Sequence, residues 1–350
     1  MIEGFTPKFV IFLALSTVFL TGCGNQTHST HTASKTILQT PMTKSANPPQ
    51  AESLSKSQTT PPTPQVLPQL TSVKIGSLPL GLMGLTLAAN NGKVLSVGGY
   101  TGTYSVASVY ELLPHAHLYS SLLERTHDAA VGFIGSNLYV FGGGQALSYN
   151  TIIQVESGHS IHVGTLPDAL SDAVAVSYTL HGTPGLLVLC GYNGQAFNRV
   201  ARFYWRQGQR LQSRVAFTLP VGLRYPAVAV NHSTVYISGG KTPSGLSSAV
   251  YQWNGNQSVT SVAHLPVAVQ KAAAFIDGHE LILVGGYDTS GQLTNHAIAI
   301  SLHNGTIHTL PPFPTPIADM GYAQVGNTGY LAGGMVPEGV SAAIYRIDLH

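Results

Sequence analysis

Charge is what this sequence has least of. Asp, Glu, Lys and Arg make up 9% of its 350 residues, against roughly 25% in ordinary soluble proteins. The formal net charge is +2. That supplies no long-range field to steer nucleic acid or an acidic substrate, and no nucleic-acid partner is expected. The deficit has two readings. The chain is either exposed to acid, where carboxylates are neutral anyway, or a secreted β-protein with uncharged polarity. Ser, Thr, Asn, Gln, Tyr and 15 His carry that polarity instead. Cysteine is almost as scarce, with Cys23 and Cys190 alone. A disulfide framework is thereby excluded.

Long apolar runs are also missing, apart from "FVIFLALSTVFLTG" at residues 9–22. That run is too short for a comfortable membrane span of roughly 20 residues. Lys8 precedes it and "LTGC" (Leu20-Thr21-Gly22-Cys23) closes it. An aliphatic residue, two small residues and Cys resemble the bacterial lipobox. The resemblance implies cleavage before Cys23 and a diacylglycerol thioether on its sulfur. Two acyl chains suffice for stable anchoring. Residues 1–22 are therefore expected to be a lipoprotein signal peptide, and Cys23 the lipidation site. The membrane is then a partner through Cys23, and the location is extracytoplasmic, at the cell surface or in the periplasm. Residues 23–70 are rich in Ser, Thr, Gln and Pro, with almost no aromatics. Such a segment buries too little apolar surface to fold and reads as a tether.

The rest of the chain repeats. Apolar runs end in a small pair at Gly98-Gly99, Gly142-Gly143, Cys190-Gly191, Gly239-Gly240, Gly285-Gly286 and Gly333-Gly334. The first members are 44, 48, 49, 46 and 48 residues apart. Another apolar stretch precedes each pair, such as "AVAVNH" or "AAAFID". A β-rich segment follows, such as "VYQWN" or "AIYRI", and then a fourth strand ending in Leu-Pro or similar. Four short strands per repeat make one propeller blade. In four repeats the Leu-Pro proline lies 19 residues before the next pair; Pro167 lies 23 before Cys190. The extra residues fall near "YTLHGTPG" and predict a longer turn.

Residues 71–350 resemble a six-bladed kelch β-propeller, an all-β fold. The glycine pairs and the downstream Tyr110, Tyr204, Tyr251 and Tyr345 carry the likeness. A tryptophan usual in the fourth strand is missing; Trp205 and Trp253 fall in the third-strand segment. The chain ends on "AIYRIDLH", a third strand without a fourth. The spare strand "SVKIGSLP" (72–79) is expected to complete that last blade and close the ring. A propeller so closed is expected to be monomeric. Kelch-like relatives of the galactose-oxidase branch use a Cys-Tyr crosslink and copper. Cys190 occupies a glycine position inside the sheet, so that chemistry is not expected, and no cofactor is.

Two loop sets should gather at one end of the channel. Tyr100, Tyr192 and Tyr287 directly follow their glycine pairs, where an aromatic can stack on a sugar or peptide or simply serve the turn. The fourth and fifth positions after each Leu-Pro form the second set. They hold His127 and Asp128, Asp172, Arg224 and Tyr225, Gln270 and Lys271, and Asp319. In so uncharged a chain this concentration is the main polar signal. It suits a polyhydroxylated ligand, an acid and base pair, or an ion-pair ring that orders the mouth. "HAH" (115–117) puts two rings on one strand face without a third ligand, so no metal site is expected. No phosphate-binding glycine loop and no nucleophile elbow is present. The sequence leads to a non-catalytic surface-anchored propeller that binds a glycan, peptide or envelope partner. The alternative is a carbohydrate-acting enzyme, by analogy with kelch propellers that act as sialic-acid mutarotases. That analogy rests on the fold alone.

Overall fold

Six four-stranded antiparallel sheets follow one another along the chain, each laid out from the centre outwards. This computed structural model describes residues 70–256 and 258–349. The expected signal peptide, Cys23 and the tether up to residue 69 lie outside them. Blade 1 comprises Thr86–Asn90, Lys93–Val97, Val106–Glu111 and His117–Thr126. Blade 2 comprises Ala130–Ile134, Asn137–Phe141, Thr151–Glu156 and His159–Thr165. Blade 3 comprises Ser171–Leu180, Thr183–Tyr192, Val200–Gln207 and Arg210–Thr218. Blade 4 comprises Ala227–Asn231, Thr234–Ser238, Ala249–Trp253 and Thr260–His264. Blade 5 comprises Ala273–Asp277, Glu280–Val284, Ala297–Ser301 and Ile307–Leu310. Blade 6 takes Gly321–Val325, Thr328–Ala332 and Ala343–Leu349 from the end of the chain and Leu70–Ser77 from before blade 1. The described chain is thus a six-bladed β-propeller.

The closing strand pairs antiparallel with Ala343–Leu349, from Leu70 opposite Leu349 to Ser77 opposite Ala343. It lies two residues earlier than the expected 72–79. A bulge at Lys74/Gly76 takes up one residue. Leu78 then adds a single bond from its N–H to the Ala342 carbonyl. Pro79 has no N–H with which to continue the ladder. In blade 3 the four extra residues do not lengthen the turn. They lengthen the two inner strands, to ten residues each. The turn stays at His181-Gly182, both at positive φ, which matches the twist of a two-residue hairpin.

The core lies between blades rather than within them. Phe141 and Leu170 meet Leu186, Val188 and Tyr204 between blades 2 and 3. Phe275 and Phe313 meet Ile347 and Leu349 between blades 5 and 6. Strands buried on both faces need no alternation, and "LILV" (281–284) is buried throughout. The outermost strand of blade 4, Thr260–His264, is mostly exposed.

The small pairs make the joints between blades. The N–H of the second member donates to a carbonyl of the next linker in all six blades: Gly99 to Thr126, Gly143 to Leu170, Gly191 to Leu223, Gly240 to Val269, Gly286 to Ile317 and Gly334 to Leu82. At blade 5 the first member, Gly285, has φ +68°, and a Cβ there would collide with the Ile317 carbonyl oxygen. Glycine meets both demands. Cys190 fills the same place in blade 3 at φ +63°, with no exposed surface.

Candidate functional site

The fifth residue after each Leu-Pro segment stands at the channel axis. These six are Gly84, Asp128, Asp172, Tyr225, Lys271 and Asp319. All adopt left-handed backbone, with φ between +53° and +60°. Each N–H donates to the carbonyl of its counterpart in the preceding blade. The ring runs Asp128 to Gly84 (2.7 Å), Asp172 to Asp128 (2.8 Å), Tyr225 to Asp172 (3.3 Å), Lys271 to Tyr225 (3.0 Å), Asp319 to Lys271 (3.0 Å) and Gly84 to Asp319 (2.9 Å). Strained backbone persists where its surroundings over-determine it. Here the closed ring does so. The same six residues line one end of a central cavity of about 590 Å³, walled along its length by small apolar residues such as Ala88, Val131, Ala175 and Ala274.

The fourth residue of each segment stands one step outward and joins the loop after a glycine pair. Met83 bridges Tyr100, His127 bridges Gly144, Arg224 bridges Lys241, Gln270 bridges Tyr287 and Ala318 bridges Met335. Ser171 pairs with Tyr192 in the same way. The two loop sets therefore meet at one channel end, and all eleven candidate side chains gather there. Of the two histidines in "HAH", only His117 begins a strand, and its Nδ1 lies 3.0 Å from the His115 carbonyl. Among the described residues, no three of His, Cys, Asp and Glu come together as a metal site.

The charges at the mouth pair with one another. Arg224 forms an ion pair with the buried Asp172. Lys271 Nζ donates to Asp319 Oδ2 at 2.6 Å. Burial works against the Lys271 charge. The carboxyls of Asp128 and Asp319 outweigh it, so the ammonium holds its proton even more firmly than usual. Burial pushes the Asp128 carboxyl well above the ordinary carboxylate range; Lys271 opposes this, while Asp319 and Asp172 reinforce it. Burial, then Lys271, lowers the pKa of His127. The mouth thus pairs two basic with two acidic side chains, beside an acid whose pKa is raised and an imidazole whose pKa is lowered.

Aromatic rings frame these pairs. The Arg224 guanidinium lies 4.4 Å from the Tyr192 ring centroid, 5.4 Å from Phe197 and 4.7 Å from Tyr225. It also donates to the Tyr225 hydroxyl at 2.8 Å. Lys271 Nζ sits 4.2 Å over the other candidate contact, the same Tyr225 ring. Tyr100 packs against His127 with centroids 5.4 Å apart, and Ser105 Oγ lies 2.9 Å from His127 Nδ1. The Gln270 side-chain oxygen is buried without a hydrogen-bond partner. Phe197 and Ser105 are the additions that sequence reasoning did not single out. Both lie in loops directly after a glycine pair, and only the fold shows which charged residue each faces. Cys190 takes no part: burial pushes its thiol pKa far up, away from reactive thiolate.

No protein-family model and no curated protein sequence matches the chain. Among solved structures, one titled "Structure of YjhT" matches with a TM-score of 0.66 at 15% identity, covering 78% of this chain and 99% of that one. At that identity the likeness concerns the fold alone.

Proposed function

We propose that this protein is a surface-anchored, non-catalytic binding propeller that recognises an uncharged, polyhydroxylated ligand, a glycan, at the ringed end of its channel. One observation carries the reading. The mouth ties Arg224 to Asp172 and Lys271 to Asp319, is dense in fixed donors and acceptors, and is rimmed by Tyr100, Tyr192, Tyr225 and Tyr287. Aromatic faces suit the C–H faces of sugars, and neutral hydroxyls compete poorly for the paired ions. A peptide or envelope protein is a less specific fit to the same surface. The kelch-type repeat and the lipid anchor at Cys23 belong to this proposal, the first supported by the six small pairs and the second by the "LTGC" motif.

A second reading is a sugar mutarotase or epimerase. It is favoured by Asp128, whose carboxyl pKa burial pushes up, beside the paired carboxyl of Asp172, since an acid and a base side by side suit anomer exchange. A sugar acid of the sialic type would have to draw Arg224 or Lys271 out of its ion pair.

A glycan array followed by calorimetry, with NMR of anomer exchange on every sugar that binds, tests both. Binding without faster exchange is expected. Replacing Arg224 and Lys271 by Met should abolish that binding; retention would overturn the site assignment. Accelerated exchange, lost in Asp128→Asn, would replace the first reading by the second.

A further inference from the structure

We propose a second ligand site outside the channel, in the cleft between blades 2 and 3, that takes the oxyanion of a small ligand, a carboxylate or a phosphate. The cleft has a volume of about 230 Å³ and is lined by Leu166 and Leu170 of the linker and by Val188, Arg202 and Tyr204 of blade 3.

The first observation is an unsatisfied hydroxyl. Tyr204 is 3% exposed, and its ring packs on Phe141 of blade 2 with centroids 4.8 Å apart. Its buried oxygen has no hydrogen-bond partner. Leaving such a group unpaired costs about 1 to 3 kcal/mol. The oxygen itself has no exposed surface, so a ligand in the cleft relieves that cost by a small shift of the side chains around it.

The second observation is unpaired positive charge. Arg202 precedes Tyr204 by two residues on the same strand face, towards the mouth end, and is half-buried. Arg199 also lines the cleft, its Nε donating to the Leu219 carbonyl at 3.0 Å. Among the described residues, neither arginine forms an ion pair with a carboxylate. Arg224 and Lys271 at the channel mouth are both paired, so the contrast is within one molecule. The surroundings reinforce it. No Asp or Glu occurs between Asp172 and Asp277, while Arg199, Arg202, Arg206, Arg210 and Arg214 all fall in that stretch. Asp168, exposed at the cleft, offsets one of the two lining arginines and leaves an excess of one positive charge.

Guanidinium groups bind planar carboxylates and phosphates through paired hydrogen bonds, and a phenol adds a donor. The volume admits a phosphate or carboxylate with a small substituent. It is below the roughly 300 Å³ where pockets for larger organic ligands begin. The cleft site is independent of the glycan reading, because it shares none of the paired ions at the mouth.

Thermal unfolding of the full chain in inorganic phosphate, in acetate and in chloride at matched ionic strength tests the site. A saturable rise in Tm with phosphate, acetate or both, beyond that in chloride, is expected. A rise with phosphate alone marks a tetrahedral site, and a rise with acetate alone marks a carboxylate site. Arg202→Met should abolish the rise, and Arg202→Lys should retain a weaker one. Tyr204→Phe should raise the Tm in chloride, because the unpaired hydroxyl is gone, and weaken anion binding about tenfold. Sugar binding at the mouth should be unchanged in all three variants. No saturable rise in the parent chain, or an equal rise in Arg202→Met, would overturn the proposal.

Discussion

The carboxyl group of Asp128 occupies the space that a side chain at Gly84 would need. A Cβ built on Gly84 would lie 2.8 Å from Asp128 Oδ1 and 3.3 Å from its Cγ. The only ring position without a side chain is thus the one over which the neighbouring acid folds. Gly84→Ala should cost about 1 to 2 kcal/mol for its left-handed backbone alone, and more for displacing Asp128. Gly92→Ala provides the control, with φ +79° and open space around it. Urea unfolding of both should show Gly84→Ala the more destabilised; equal losses would mean that Asp128 moves aside freely.

The raised pKa of Asp128 has a consequence for pH. The folded state keeps a proton that the unfolded state releases near pH 4. Its contribution to stability is present below the unfolded value and is lost as pH rises through the folded one. Asp128→Asn keeps the neutral shape and removes the titration. The stability of this variant relative to the parent should grow as pH rises from about 4 towards neutrality. A series of urea melts across that range would show it. His127 acts with opposite sign, since its folded pKa lies below 6.5. Its Nε2 lies 3.9 Å from Asp128 Oδ2, so both proteins should carry His127→Gln, and the difference between them then isolates Asp128. A pH-independent difference would show that Asp128 titrates as an ordinary carboxylate.

The interblade joints predict an asymmetry between two substitutions at equivalent places. Gly285→Ala drives a methyl group into the Ile317 carbonyl and should cost about 3 kcal/mol or more. Cys190→Gly relieves a left-handed non-glycine residue and loses a small buried thiol. Those terms oppose each other, and the net change should stay within about 1 kcal/mol. Equilibrium unfolding of both variants checks the pair.

Removing residues 70–77 would strip the outer strand from blade 6. The ladder groups of Ala343–Leu349 that now bond that strand would be left open. The Tm should fall steeply, and the exposed edge should drive self-association visible by light scattering. An unchanged melt and a monomeric species would show that the ring does not depend on this closure.

How much of this was legible in the sequence depends on the residue. Gly285-Gly286 and its five counterparts were legible because the joint's steric demand admits almost nothing but glycine, so the fold writes itself periodically. Counting five residues from Leu-Pro found Asp172, Tyr225 and Lys271, and the equivalent count from Phe313-Pro314 and from Leu122-Leu123 found Asp319 and Asp128, since the ring positions share one place in every blade. What no count could supply was their pairing. Arg224 meets Asp172 and not Asp128, and Lys271 meets Asp319, because blades bring neighbours of roughly 48 residues' separation side by side. The left-handed backbone was also hidden, since Asp, Tyr and Lys carry no such signature as glycine does. The two extended strands of blade 3 were misread as a long turn because "TPG" after the true two-residue bend at His181-Gly182 also has turn composition.

The backbone ring at the mouth has one more consequence. Six peptide groups hydrogen-bond head to tail around the ring, so the components of their dipoles that run along it cancel. A helix end, by contrast, offers an incoming ion a standing partial charge. Selectivity at this mouth is therefore left entirely to the side chains. Main-chain bonds close the ring the same way whether the position holds Asp, Tyr or Lys, while the sixth position, Gly84, leaves its space to Asp128. A propeller built this way can change what it binds without altering how it closes.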